Sequence, residues 1–133
     1  MRENVKAYVN GIRVIPKEEE EQIMLFSWAE TVEAQHPELR LLFHIPNGGK
    51  RGKAEAARFK RAGVRAGVSD LFLPVPRGRF HGLWIEMKAM DGRTSEEQLN
   101  WLTEMGLQGY ATTICYGFVH ARETILRYLE VET

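Results

Sequence analysis

The chain of 133 residues is long enough for one domain with its own core, and its 44% hydrophobic and 27% charged residues are those of an ordinary globular protein. A single cysteine excludes a disulfide framework and a CxxC metal site, and no apolar run approaches the ~20 residues of a membrane span. The formal net charge of zero hides an asymmetry: residues 50–65 carry 7 basic and 1 acidic side chains, between flanks of 5 basic and 8 acidic (residues 1–49) and 6 basic and 9 acidic (residues 66–133).

In chain order, "MRENVKAYVNGIRV" lacks the apolar core of a secretory signal, so a cytoplasmic location is expected. Residues 16–35, "PKEEEEQIMLFSWAETVEAQ", read as a helix. Pro16 suits its start, and Glu18, Glu19, Glu20 and Glu21 suit the positive end of its dipole. Ile23, Phe26, then Ala29 or Glu30 and Val32 or Glu33 outline an apolar stripe that dissolves toward the C-terminus. "LRLLFHI" is a short strand closed by the turn residues "PNGG", and "KAEAARFKRAG" is a helix stopped by Gly63. "SDLFLPV" is a strand and "PRGR" a turn. "HGLWIEMKA" is a strand in which Leu83, Ile85 and Met87 alternate with Trp84, Glu86 and Lys88. "SEEQLNWLTEMGLQG" is a helix with Ser95 at its N-cap, "YATTICY" a strand, and "HARETILRYLEV" a final helix. The order α-β-α-β-β-α-β-α predicts an α/β fold: a mixed sheet with helices on both faces. Cys115, Trp28 and Trp101 are expected in apolar packing, and His36, His44, His81 and His120 show no metal-ligand spacing.

The chemistry concentrates where the two central strands end. Glu86 and Lys88 stand two apart on a strand and therefore share a face. If residues 76–81 turn the chain back, the start of one strand lies beside the end of the other, and Asp70 meets Glu86 and Lys88. Adjacent carboxylates near a core repel each other, and a divalent cation removes that penalty. Oxygen ligands suit Mg²⁺ or Mn²⁺, and a neighbouring lysine can orient the attacking water, as metal-assisted phosphodiester hydrolysis requires. A chance Glu-x-Lys occurs in roughly a third to a half of chains this long. The weight therefore rests on context: the upstream acid, the turn between the strands and the basic segment beside them. That segment suits a polyanion, with Lys50, Arg51, Lys53, Lys60, Arg61 and Arg65 as the candidate contacts. The competing readings are a structural Asp70–Lys88 ion pair and a solvated helix face. "NGGKRGK" lacks the spacing of a phosphate-binding loop, so no nucleotide cofactor is expected.

Five blocks in order, "EEEEQ", "HIPNGGKR", "AGVRAGVSD", "IEMK" and "SEEQ", resemble the virus-type replication–repair nuclease domain, VRR-NUC, of the PD-(D/E)xK superfamily. The resemblance spans about residues 17–117 and implies one domain over residues 1–133 with a restriction-endonuclease-like mixed sheet, flanking helices and an αβββαβ core. It places the motif acid on Asp70, the (D/E)xK pair on Glu86 and Lys88, and the later glutamine on Gln98. It also implies a glutamate of the first helix in the metal site. The Glu-x-x-x-Gln pattern selects Glu18, with Glu20 and Glu21 as alternatives. Ser69 stands where the family's name promises proline, a change that removes no reactive group. By resemblance, Glu18, Asp70, Glu86 and the Met87 carbonyl would hold Mg²⁺ or Mn²⁺. Lys88 would position the water, and Gln98 would hold Lys88 or a phosphate. The resemblance further implies DNA cleavage leaving 5′-phosphate and 3′-hydroxyl ends, and a homodimer acting on branched DNA such as four-way junctions, in the host cytoplasm if the protein is viral. The "VKAYVNGIRVI" stretch, outside the family core, is the expected dimer surface. A non-catalytic nucleic-acid-binding protein and an RNA-directed nuclease are the alternative functions.

Overall fold

The structure, a computed structural model, describes residues 6–46 and 52–132. The chain opens with a hairpin of β1 (Tyr8–Val9) and β2 (Ile12–Arg13) that the hydrophobic pattern did not announce. Its turn is Asn10-Gly11 with φ of 51° and 77°, the positive pair whose twist matches that of the flanking strands. Arg13 clamps the hairpin to the loop after the fifth strand: Nη1 and Nη2 donate to the two carboxylate oxygens of Asp91 at 3.2 and 3.1 Å.

Helix α1 (Glu18–Thr31) starts two residues after Pro16 and ends short of the expected Gln35. Its buried row is Glu21, Leu25 and Ala29, whereas Ile23 is 59% exposed. Of the expected stripe, Ala29 is buried and Phe26 and Val32 pack against the core, whereas Ile23 falls outside it and Glu21 takes the first buried position. The Glu21 carboxylate lies against Gly117, where an added Cβ would come within 2.6 Å of Oε2. Gly117 has φ +90° and directly precedes α4 (Phe118–Glu130), so a buried carboxyl group meets the positive end of a helix.

The strand expected over residues 39–45 begins instead within a 3₁₀ helix, Pro37–Leu41, and only Phe43–His44 forms β3. Pro37 initiates the turn, and the buried leucines Leu39 and Leu42 stand three apart, a helical rather than an alternating spacing. Helix α2 (Lys53–Arg61) ends as expected at Gly63: with φ +104° there, the Val64 N–H donates to the Phe59 carbonyl. None of the α2 residues is buried.

The remaining elements are β4 (Leu71–Leu73), β5 (Leu83–Lys88), α3 (Glu96–Leu107) and β6 (Ala111–Tyr116), followed by α4, which begins two residues before the expected His120. The main sheet runs β3-β4-β5-β6, antiparallel in its first two pairings and parallel in the last, which α3 bridges as a crossover. The order α1-β3-β4-β5-α3-β6 is the expected αβββαβ core, with α2 inserted between β3 and β4 and α4 appended.

Strand alternation divides the sheet into two apolar layers. Leu71, Leu73, Ile85, Met87 and Cys115 pack with Leu25 and Ala29 of α1 and Ala121 and Ile125 of α4; Trp28 joins this side, edge-on to Phe118. On the other face Phe72 stacks on Trp84 at 4.3 Å, and Trp101 of α3 meets Trp84 edge-on at 5.4 Å. Such ring pairs contribute about 0.5–1.5 kcal/mol each beyond area burial and help seat α3 against β5.

Candidate metal centre

In the β4–β5 pair Leu71 faces Ile85 and Phe72 faces Trp84. One further step in that register sets Asp70 opposite Glu86, on the face that carries α3. Asp70 is held from both sides: its Oδ2 accepts the Met87 N–H at 2.9 Å, and its carbonyl accepts the Ile45 N–H at 2.7 Å and lies 3.0 Å from Nδ1 of His44. Glu18, the first residue of α1, brings its carboxylate to the same point, and the ligand oxygens of Glu18, Asp70 and Glu86 lie within 4.8 Å of one another. Of the four consecutive glutamates this geometry selects Glu18. Glu19 and Glu20 are exposed, Glu20 accepts the Lys17 N–H at 3.4 Å, and Glu21 faces Gly117.

The cluster is electrostatically frustrated. Glu86 is fully buried, and neither of its carboxylate oxygens has a hydrogen-bond partner among the described residues. Lys88 is itself 8% exposed, with Nζ 3.7 Å from Glu86 Oε2. One ammonium faces three carboxylates, so an ion pair alone leaves two negative charges uncompensated. Two unit charges about 4.8 Å apart repel by about 3–4 kcal/mol at an effective dielectric of about 20. The carboxyls respond by holding protons: burial first, and then the adjacent Asp70, push Glu86 up to about 9, against the pull of Lys88. Burial and Asp70 also raise Glu18, with Lys88 and His44 opposing. An oxygen-rich, negatively charged, partly dehydrated site whose buried oxygens lack donors fits a hard divalent cation.

The cluster opens into a cleft of about 340 Å³ lined by Glu18, Asp70, Lys88 and Gln98, with Ala66 and Gly67 on its rim. Gln98 completes a capping box: its Oε1 accepts the Ser95 N–H at 2.8 Å, and its own N–H donates to Ser95 Oγ at 3.2 Å. Its carbonyl oxygen is thereby committed, and the NH₂ is what the side chain can offer the cleft. Met87 has its side chain in the core and its N–H on Asp70. Ser69 is fully buried, and its Oγ has no partner among the described residues.

Two residues that shape the cleft were not legible in the sequence. Gly67 has φ +81°, and an added Cβ would lie 2.3 Å from the carbonyl oxygen of Glu97, so only glycine lets this loop close onto the first turn of α3. Glu97 in turn lines the cleft. Both lie inside blocks that carry the family resemblance, "AGVRAGVSD" and "SEEQ", but no local rule assigns either of them a role. Of the basic candidates, Lys53, Lys60, Arg61 and Arg65 are exposed on α2 and the loop after it, and Arg58 of the same helix is exposed as well. Lys50 and Arg51 lie outside the described residues.

Residues 16–119 match the family model of the VRR-NUC domain. A solved structure described as a VRR_NUC domain protein is similar with a TM-score of 0.75 and 28% identity, over 88% of this chain and 91% of that one. No curated protein matches the chain.

Proposed function

Because this chain belongs to the VRR-NUC family of nucleases, we propose that it is a Mg²⁺- or Mn²⁺-dependent DNA endonuclease that cuts branched DNA such as four-way junctions. The observation that carries the reading is the convergence of Glu18, Asp70 and Glu86 within 4.8 Å beside Lys88. These three carboxylates and the Met87 carbonyl would hold the ion. A bound ion of this kind polarises a phosphate oxygen and makes water a better nucleophile. The chain's own residues do the rest. Met87 N–H fixes the Asp70 carboxylate, so its orientation is set before anything binds. Lys88, held by Glu86, directs Nζ at the attacking water, and the Gln98 NH₂ reaches a phosphate oxygen or Lys88. Attack on phosphorus in line with the 3′ oxygen breaks that bond, leaving a 5′-phosphate and a 3′-hydroxyl.

A binding protein without catalysis would gain nothing from three acids beside a polyanion, and this disfavours the non-catalytic alternative. The test is incubation with linear, flapped and four-way DNA, and with RNA of the same shapes, with and without Mg²⁺ or Mn²⁺. Metal-dependent cutting of branched DNA is expected. Cutting of RNA alone would move the assignment to a ribonuclease, and no cutting of any substrate would overturn it.

A four-way junction needs two symmetric cuts, and a two-fold homodimer brings two such clefts. The hairpin is the interface we favour. Tyr8, Val9, Ile12 and Val14 are 50–68% exposed, and a two-stranded hairpin alone is marginally stable in water. Light scattering should give twice the chain mass at micromolar concentration, and Ile12→Asp should halve it and abolish paired cutting. A monomer mass for the unsubstituted protein would defeat the dimer and leave the nuclease standing. The reading carries a cytoplasmic location, that of the host if the protein is viral, and no nucleotide cofactor. No described helix is long and apolar enough to cross a membrane.

A further inference from the structure

Beside the cleft lies a groove of about 590 Å³, between α2 and the loop that leads to β4. Its floor is Ala56, Phe59 and Val64, and Lys60 and Arg65 are its cations. It shares Ala66 and Gly67 with the cleft, so the two hollows adjoin along the same piece of backbone. Among the described residues no carboxylate lines it, in contrast to the cleft next door.

The composition of the groove indicates its occupant. A phosphate backbone alone calls for charge and has no use for an apolar floor. A protein segment large enough to bury Phe59 and Val64 would not require both cations. A nucleotide is apolar on its base and anionic on its phosphate, and the groove presents both partners. We propose that this groove receives an unpaired nucleotide of the substrate strand, its base against Phe59 and its phosphate on Lys60 and Arg65, next to the phosphate held over Asp70 and Glu86. The proposal rests on the nuclease reading for its second half, the position relative to the cut, but not for binding itself. A base cannot lie against Phe59 while stacked in a duplex, so the groove selects DNA with unpaired nucleotides beside the cut, such as flaps and open junction centres. The volume is within the roughly 300–1,000 Å³ range of small-molecule sites and leaves room for little more than one or two nucleotides.

The position on α2 makes the test clean, since none of that helix's residues is buried and substitutions there leave the core untouched. Binding is measured in EDTA, where no metal-dependent cutting occurs, with an oligothymidylate of about 12 nucleotides and with a blunt duplex of that length. Phe59→Ala should weaken oligothymidylate binding roughly tenfold or more, Phe59→Trp should retain it, and duplex binding should change little with either. Lys60→Ala should weaken both and lower the salt slope by about one. In the Phe59→Trp protein, the oligothymidylate should quench tryptophan fluorescence beyond the response of the unsubstituted protein. Equal losses of oligothymidylate and duplex binding in Phe59→Ala, or no loss of either, would overturn the groove assignment while leaving the metal-dependent cutting assay untouched. If instead no substrate is cut in Mg²⁺ or Mn²⁺ but the binding contrast holds, the nuclease reading fails and the nucleotide groove stands.

Discussion

Asp70→Asn should lower metal-dependent cleavage roughly a thousandfold or more while leaving the fold and DNA binding intact. The substitution keeps an oxygen for the Met87 N–H, now accepted at 2.9 Å, so the backbone around the site has no reason to move. It removes one of three converging charges, and with it the cation's main attraction to the site. Metal-based stabilisation of a phosphoryl transition state is worth several kcal/mol, and each ~1.4 kcal/mol is a factor of ten in rate. Binding in EDTA should hold or tighten, because a charge that repels phosphate is gone. The measurement is single-turnover cleavage of junction DNA in Mg²⁺, beside a binding isotherm in EDTA. Cleavage within tenfold of the unsubstituted rate would remove Asp70 from the site.

Glu86→Gln should abolish cleavage as well, yet make the metal-free protein more stable at alkaline pH. The Glu86 carboxyl keeps its proton to about pH 9 in the folded chain, against 4.5 for an ordinary glutamate. Between those values the folded state binds more protons than the unfolded one. The stabilisation is therefore complete below about pH 4.5 and is lost as pH rises toward 9. The raised Glu18 carboxyl acts in the same direction. Thermal melts in EDTA should accordingly fall from about pH 6 to about pH 8.5, and Mg²⁺ should recover the loss at the upper end, where it takes the proton's place. A neutral amide cannot ionise, so Glu86→Gln should flatten much of that slope and gain about 1–3 kcal/mol at about pH 8.5. An unsubstituted protein whose melting is flat across this range in EDTA, or a variant less stable than it at the alkaline end, would contradict the account.

Opposite effects on activity and stability at one residue identify a site that folding tolerates rather than builds. A structural ion pair with Lys88 predicts the reverse outcome, since removing one partner would strand a buried ammonium.

Local rules in the sequence determined most of the acidic cluster. Glu86 and Lys88 share a face because a strand alternates, and Asp70 joins them because a short turn between two apolar runs forces antiparallel neighbours. Both rules act within twenty residues, and both hold in the observed register. The helix stops at Gly63 and the cap at Ser95 are likewise local, set by backbone groups that need partners at helix ends. The Asn10-Gly11 turn is equally local, but its strands are two residues long and carry no alternation that would mark them as strands. Only the tertiary structure decided the rest. Any of Glu18, Glu19, Glu20 and Glu21 can cap a helix; the rotation of α1 about its axis, set by Leu25 and Ala29 seating in the core, aims Glu18 at Asp70 and turns Glu21 toward Gly117. The strand expected at residues 39–45 gave way to a 3₁₀ turn because Leu39 and Leu42 reach the same core only at helical spacing. Gly67 and Glu97 lie thirty residues apart, and their contact shapes the cleft through a clearance of the backbone that no periodicity records. Periodicity shows which residues share a face, but which face meets which is settled by packing between elements distant in the chain.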